Sequence, residues 1–307
     1  MSRNLVHFFD IFAKNLKKPF VYLVRKRALG DVLWIEPVIR QLASGTRKVI
    51  VYTKYPELFS NYPLPNVAFR SKLTFIEKAL WSIERLLGIS FFFIDLEGAY
   101  EKHPKMHFLT AYQQKAGVPV MHEYPRLYLN EAELACSPPV AGQYVVLHLE
   151  SMTDLNFRKV YGIDWEQVAS HLVGRGFSLV QVGKEPIPIR SALHVRTSIR
   201  EMMSLIKHAA FFIGIDSGPS HLAAALGVPS LVFFGSINPA YRHFMQLFKG
   251  RILQQYCEYA GCYHETDRPG WPTCRLVGNE GIPKCAAHST EYVLNNIDLL
   301  IKDYQIL

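Results

Sequence analysis

The sequence has no apolar run approaching the roughly 20 residues a membrane-spanning helix needs. Its first residues lack the compact apolar core of a signal peptide, so the cytoplasm is the expected compartment. Low-complexity tracts and solenoid repeats are also missing, which removes disordered and repeat architectures. Cysteine is scarce, with five in 307 residues, and four of them fall in one stretch.

What remains is the composition of a folded chain: 49% hydrophobic and 20% charged residues. The length exceeds the usual single-domain size, so two domains are expected. Lys and Arg outnumber Asp and Glu by 34 to 26, and the resulting +8 favours anionic partners such as nucleotides, phosphorylated glycans, acidic lipids or nucleic acid. Met1 to Phe20 sets Leu5, Phe8, Phe9, Phe12 and Leu16 at near-helical spacing among Arg3, Lys14, Lys17 and Lys18. That pattern fits either a helix packed on its own domain or a basic helix attached to the surface of an anionic bilayer.

The rhythm along the chain is α/β. Val21 to Arg25, Lys48 to Thr53 and Ser90 to Asp95 read as buried strands, with helical segments at Val32 to Leu42 and Phe75 to Leu87. The run NEAELACSPPVAG, Asn130 to Gly142, reads as a linker. It places domains at 1–139 and 140–307. In the second half Tyr144 to His148, Ser178 to Val182, Phe211 to Ile215 and Ser230 to Phe234 are strands, Trp165 to Gly174 is a helix, and Thr290 to Lys302 is a C-terminal helix that could pack on either domain. The expected fold is therefore two doubly wound, Rossmann-like domains facing across a cleft, with ligands at the carboxyl ends of the strands.

The densest local unit runs from Phe211 to Pro239. Asp216, Ser217, Gly218, Pro219 and His221 crowd one strand end, and the helix that starts there would aim free N–H groups and its positive dipole end at a phosphate. These residues carry a resemblance. The pattern D-[ST]-G-x-x-H-L-A-A, followed by G-x-P and F-G-x-[TS]-x-P, is similar to that of glycosyltransferase family 9, the ADP-heptose:lipopolysaccharide heptosyltransferase type. Asp216, Ser217, Gly218, His221, Leu222, Ala223, Ala224, Gly227, Pro229, Phe234, Gly235 and Pro239 match it, whereas Ser236 and Ile237 leave its hydroxyl position unsettled. The resemblance implies a GT-B fold with the acceptor on the N-terminal domain and the nucleotide sugar on the C-terminal one.

Near the start, Gly30-Asp31-Val32 before Glu36-Pro37 resembles the family's G-D-x-[LV] element, which implies that Asp31 is the catalytic base. Displacement at an anomeric carbon needs a carboxylate to take the proton of the incoming hydroxyl. Gly30 would let backbone approach the ligand closely. A third stretch, Leu149 to Trp165, is similar to the one in which the family sets a lysine against the donor phosphates, and here either Arg158 or Lys159 fills that place. Gly183 and Glu185 match the G-x-E region beside the nucleotide, and Asp95, Glu97 and Gly98 lie at a strand end on the acceptor side. No Asp-x-Asp pair follows a strand, and Asp31 stands alone among apolar neighbours, so no catalytic metal is expected.

Cys257, Cys262, Cys274 and Cys285 occupy a loop-like stretch at 257–285 with the spacing Cys-x4-Cys-x11-Cys-x10-Cys. Clustered cytosolic thiols suggest a tetrahedral metal site, with free thiols or disulfides as the alternative and His264 or His288 as substitute ligands. The loop resembles the four-cysteine insertion of the autotransporter-modifying heptosyltransferases, which implies iron as well as zinc. Cys136, near the linker, is expected as a buried small hydrophobe.

The reading is an inverting, metal-independent transfer of heptose from ADP-heptose to a glycan of the lipopolysaccharide core or to a protein serine. Its rivals are a non-catalytic nucleotide-sugar-binding module and a UDP-sugar epimerase of the related two-domain fold. Peripheral contact with the inner membrane and oligomerisation are left open; nucleic acid is not expected as a partner.

Overall fold

The computed structural model describes residues 19–151, 155–264, 274–278 and 280–306. The chain divides into a unit ending at Tyr128 and one beginning at Leu129, eleven residues before the expected boundary. The expectation for the N-terminal helix falls on residues 1–18, outside the described residues.

In the first unit β1 (Phe20–Val24), β2 (Lys48–Tyr52), β3 (Val67–Arg70) and β4 (Phe93–Asp95) form a parallel sheet ordered β3-β2-β1-β4. The single helix expected at 32–42 is two: α1 (Leu29–Leu33) and α2 (Glu36–Leu42). Pro37 has no N–H to return to the residue 33 carbonyl, so the ladder breaks. Trp34 fills the break and is buried against the rings of His107, Phe108 and Tyr124, with centroids 5.1, 4.9 and 5.1 Å away. Glu36, fully buried, accepts from Arg40, the Tyr62 hydroxyl at 3.0 Å and the Arg126 amide at 2.9 Å, a satisfied structural carboxylate.

α3 (Phe75–Leu87) has the expected bounds, fixed by a Thr74–Glu77 capping box and a left-handed Gly88. Its carboxylates and Trp81, however, face its own sheet. Glu84 accepts from the Phe91, Phe92 and Phe93 amides at 2.8–3.0 Å, and Trp81 donates to Asp95 at 3.1 Å. α4 (Phe108–Ala116), absent from the sequence reading, ends the unit's helices.

The second unit opens with the short α5 (Glu131–Leu134), which accounts for the early boundary. Glu133 is ion-paired with Arg200, and its carbonyl accepts from the Ser204 hydroxyl at 2.6 Å. Residues 129–135 are thereby bound to the helix Ile199–His208 of this unit instead of serving as linker. Cys136 is exposed, contrary to expectation, because it lies beyond this anchored turn. A six-stranded parallel sheet follows, ordered β10-β9-β8-β5-β6-β7. Its strands are β5 (Tyr144–His148), β6 (Ser178–Val182), β7 (Ala192–Val195), β8 (Phe211–Ile215), β9 (Ser230–Phe233) and β10 (Gly250–Leu253).

The helices α6 (Trp165–Gly174), α7 (Ile199–His208) and α8 (Gly218–Ala225) connect these strands. The C-terminal α9 (Thr290–Asp303) packs on this sheet, where Val293, Ile297 and Leu300 join Leu231 and Phe233 in one buried cluster. Truncating any of these aliphatic residues to alanine would cost about 2–5 kcal/mol.

Candidate active site

In open parallel sheets the ligand crevice lies where strand order reverses, outside the carboxyl ends of the two strands that part there. In the second unit those strands are β5 and β8, and the residues that follow them are polar. β8 delivers Asp216 and β5 ends on His148, both buried. The Ser217 hydroxyl lies 3.2 Å from His148 Nδ1 and so ties the two strand ends together. Burial pushes His148 down to about 4, with Glu150 acting against the shift, so its imidazole is neutral at pH 7.

Asp216 is the hub. One carboxylate oxygen lies 3.2 Å from Arg158 Nη1 and the other 3.5 Å from His221 Nε2. Burial alone would raise its carboxyl. Arg158, with His221 and Arg242, outweighs that and holds it well below the usual carboxylate range. The His221 ring stacks on His243 at 4.7 Å. Arg158 also borders a small hollow with Lys159, Asp216, Phe157, Gly235 and Ile237. Gly235 is required there, because a Cβ would sit 2.1 Å from the Phe157 carbonyl oxygen and displace the turn that carries Arg158.

The start of α8 offers less than its sequence suggests. Pro219 carries no N–H, and the Ser220 and His221 amides donate to the Ser217 carbonyl at 3.1 and 3.3 Å. Of the opening donors, the helix ladder leaves the Gly218 N–H. The structure brings Asp216, Ser217, Gly218, Pro219, His221, Arg158 and Lys159 together at this strand end.

Gly183 and Glu185 form a neighbouring loop after β6, organised by a residue the sequence reading missed. The Glu150 carboxylate accepts from the Lys184 amide at 2.6 Å and the Glu185 amide at 3.2 Å. A Cβ on Gly183, whose φ is +141°, would fall 2.6 Å from that carboxylate. Glu150 and His148 had one available signal, a position just at the end of β5, which the search for cations passed over.

In the first unit the parting strands are β1 and β4. Asp31 is not alone there: its carboxylate is paired with Arg25, the first residue after β1, and accepts from the Tyr100 hydroxyl at 3.4 Å. Arg25 is nearly inaccessible; it also meets Glu101 at 3.3 Å and the Leu96 carbonyl at 3.3 Å, and lies over the rings of Tyr100 and Tyr112. Burial would ease its proton off, but Tyr112, Asp31, Glu101 and Tyr100 reverse the effect and keep it charged. The unusual backbone is at Ala28, with φ of +62°, rather than at the buried Gly30. An alanine in that region costs on the order of 1 kcal/mol, and here it sets the entry of the helix that aims Asp31. Asp95 and Glu97 are committed to structure, Asp95 to Trp81 and the Glu97 amide and Glu97 to the Lys26 amide.

The four loop cysteines are buried. Burial, and after it Cys257, Cys274 and Cys262, lift the Cys285 thiol to about 12, so the four sulfurs are near enough to interact through space. Among the described residues no group of three or more His, Cys, Asp or Glu side chains is arranged to hold a metal ion. His288 instead pairs through Nδ1 with Gln255 at 3.2 Å.

Residues 95–246 match the model of glycosyltransferase family 9 (heptosyltransferase). A 154-residue stretch is 25% identical to lipopolysaccharide heptosyltransferase 1 of Pseudomonas aeruginosa, and 92 residues are 41% identical to lipopolysaccharide heptosyltransferase 3 of Escherichia coli K12. These matches take in 47% and 28% of this chain but only 42% and 25% of the relatives' own lengths. Among solved structures the fold is similar to the iron-containing dodecameric glycosyltransferase TibC from enterotoxigenic E. coli, with TM-score 0.72 and 19% identity over 94% of this chain and 77% of that one. It is also similar to E. coli ADP-heptose lps heptosyltransferase II, with TM-score 0.56 and 13% identity over 93% and 99% of the two chains. The two parallel-sheet units are thus those of a GT-B fold.

Proposed function

We propose, for a chain whose residues 95–246 belong to glycosyltransferase family 9, that the protein transfers a heptose from ADP-heptose to a hydroxyl acceptor with inversion. The observation that carries the reading is the Asp216–Arg158–His221 cluster at the β5/β8 switch of the unit that carries most of the family match. TibC has been solved with ADP-D-beta-D-heptose, which supports that donor here.

In the transfer the acceptor oxygen bonds to the anomeric carbon as the bond from that carbon to the diphosphate oxygen breaks, and ADP departs. Asp31 takes the acceptor's proton, oriented for that task by Arg25 and Tyr100. Arg158, with Lys159 and the Gly218 N–H, offsets the charge that grows on the diphosphate, so no metal is needed for the step. Gly30, Gly183 and Glu185 complete the donor contacts. The acceptor is a lipopolysaccharide-core glycan or a protein serine, and self-assembly like that of dodecameric TibC belongs to the same reading.

Cys257, Cys262, Cys274 and Cys285 are a donor set suited to iron or zinc, since all four are buried and Cys285 feels the other three through space. Bound there, a metal would supply folding energy to the loop and no catalysis.

Thermal unfolding with ADP, UDP and GDP tests the donor. At 100 times its dissociation constant ADP should add about 2.7 kcal/mol of stability, and a preference for another nucleotide would overturn the heptose assignment. Turnover of ADP-heptose and of UDP-sugars, each with and without acceptor, separates transfer from the two rivals: a binding module turns over nothing, and an epimerase acts on a UDP-sugar without acceptor.

A further inference from the structure

α3 is amphipathic and inverted. Glu77, Trp81 and Glu84 point to the sheet, while Phe75, Ile76, Leu80, Ile83, Leu86 and Leu87 are exposed, Phe75 to 86% and Leu86 to 87%. On a helical projection the six occupy one continuous sector of about 140°. Together they expose roughly 600 Å² of apolar side chain, at the top of the range for the largest patch on a monomer. A face of that size implies a cover.

Charge on its rim selects the cover. Both carboxylates of the helix are used internally: Glu77 accepts from the Tyr22 hydroxyl, Arg70 and the Thr74 amide, and Glu84 from three amides of the β4 approach. The outward charges are cationic. Lys72 and Lys78 are exposed, and Arg85, leaning on Trp81 and 3.5 Å from Asp95, keeps 61% of its side chain exposed. A second copy laid antiparallel on this face would set the Lys78–Arg85 edge against its own image. An anionic surface would instead meet cations along that edge and apolar side chains beyond it.

We propose that α3 is a membrane-docking face, which lies in the headgroup region of an anionic bilayer with Phe75, Ile76, Ile83 and Leu86 inserted. The inference stands apart from the transfer reaction and from residues 1–18, which every protein compared in the test retains.

Flotation of the full chain with phosphatidylcholine vesicles, with and without about one-third phosphatidylglycerol, is the test. Wild type should float with the anionic vesicles and lose the association as salt is raised. Phe75→Glu/Leu86→Glu should lower the partition coefficient at least about tenfold, and Lys78→Glu should lower it less. Leu247→Glu, a control at an exposed leucine of the second unit, should leave it unchanged. Unfolding temperatures within a degree or two of wild type would show that the variants fold. Flotation of the double variant at the wild-type level overturns the proposal, as does a wild type that ignores both vesicles. A wild-type assembly that the double variant breaks apart, without vesicle binding, would show the face to join protein chains and would overturn it too.

Discussion

Arg158 and Lys159 are adjacent cations with different surroundings, and replacing each in turn tests whether the hollow they border takes a diphosphate. Arg158 is three-quarters buried and held at 3.2 Å by Asp216, whereas Lys159 is exposed. A charge-assisted hydrogen bond from a fixed, partly desolvated guanidinium to phosphate is worth about 1.5–3 kcal/mol. Arg158→Gln should therefore weaken ADP binding roughly 10- to 150-fold. Lys159→Gln removes a solvated contact worth about 0–1 kcal/mol and should cost at most about fivefold.

Stability supplies a second readout. Arg158→Gln leaves Asp216, with 8% of its side chain exposed, to His221 and Arg242. Breaking a fully buried pair costs about 3–5 kcal/mol, and the partial exposure of Arg158 reduces this to about 2–3. For a unit of this size the unfolding temperature should fall by roughly 5–10 °C. Arg158→Lys should recover part of that loss and less of the ADP affinity, since an ammonium lacks the planar fork. Calorimetric titration with ADP, paired with thermal melts, measures both. A tenfold loss in Lys159→Gln beside an unchanged Arg158→Gln would transfer the role to the lysine; no loss in either would remove the diphosphate from this hollow.

Three further outcomes are expected. Asp31→Asn should lower single-turnover transfer by about 10²- to 10⁴-fold while ADP stabilisation persists, and substantial residual turnover would remove Asp31 as the base. His148, neutral in the fold with its value depressed from 6.5 to about 4, contributes stability that is full above pH 6.5 and is lost as pH falls toward 4. That contribution is about 3 kcal/mol, so acid titration of His148→Gln should give a flatter stability curve over this window than wild type, and a parallel curve would refute the assignment. Elemental analysis should find about one equivalent of iron or zinc, lost in a Cys257→Ser/Cys285→Ser variant together with unfolding temperature; less than about half an equivalent in wild type would exclude the site.

The sheets were legible because buried parallel strands are near-continuous apolar runs, as at Tyr144–His148 and Phe211–Ile215. Short half-buried strands such as Val67–Arg70 and Gly250–Leu253 carry no such run and were missed. The polar cluster at Asp216–His221 was legible because its residues are contiguous. The Tyr100 partner of Asp31 was not, because strand order brings together residues 69 positions apart, and Arg25, only six residues before Asp31, faces it through the turn after β1, which spacing does not reveal. Counting N–H groups at the start of α8 overlooks the donor lost at Pro219 and the two amides that fold back on the Ser217 carbonyl. The inversion of α3 was hidden because periodicity reveals an apolar stripe and says nothing of which way it points.

That inversion also bears on motion. α3 is fastened to its sheet mainly through Glu77, Trp81 and Glu84, so lifting it away gives up hydrogen bonds that water can replace and the packing of one ring, Trp81, on Tyr52 and Phe93. The helix is therefore a unit of local opening, whose amides should exchange with deuterium well before those of β1 and β2 beneath it.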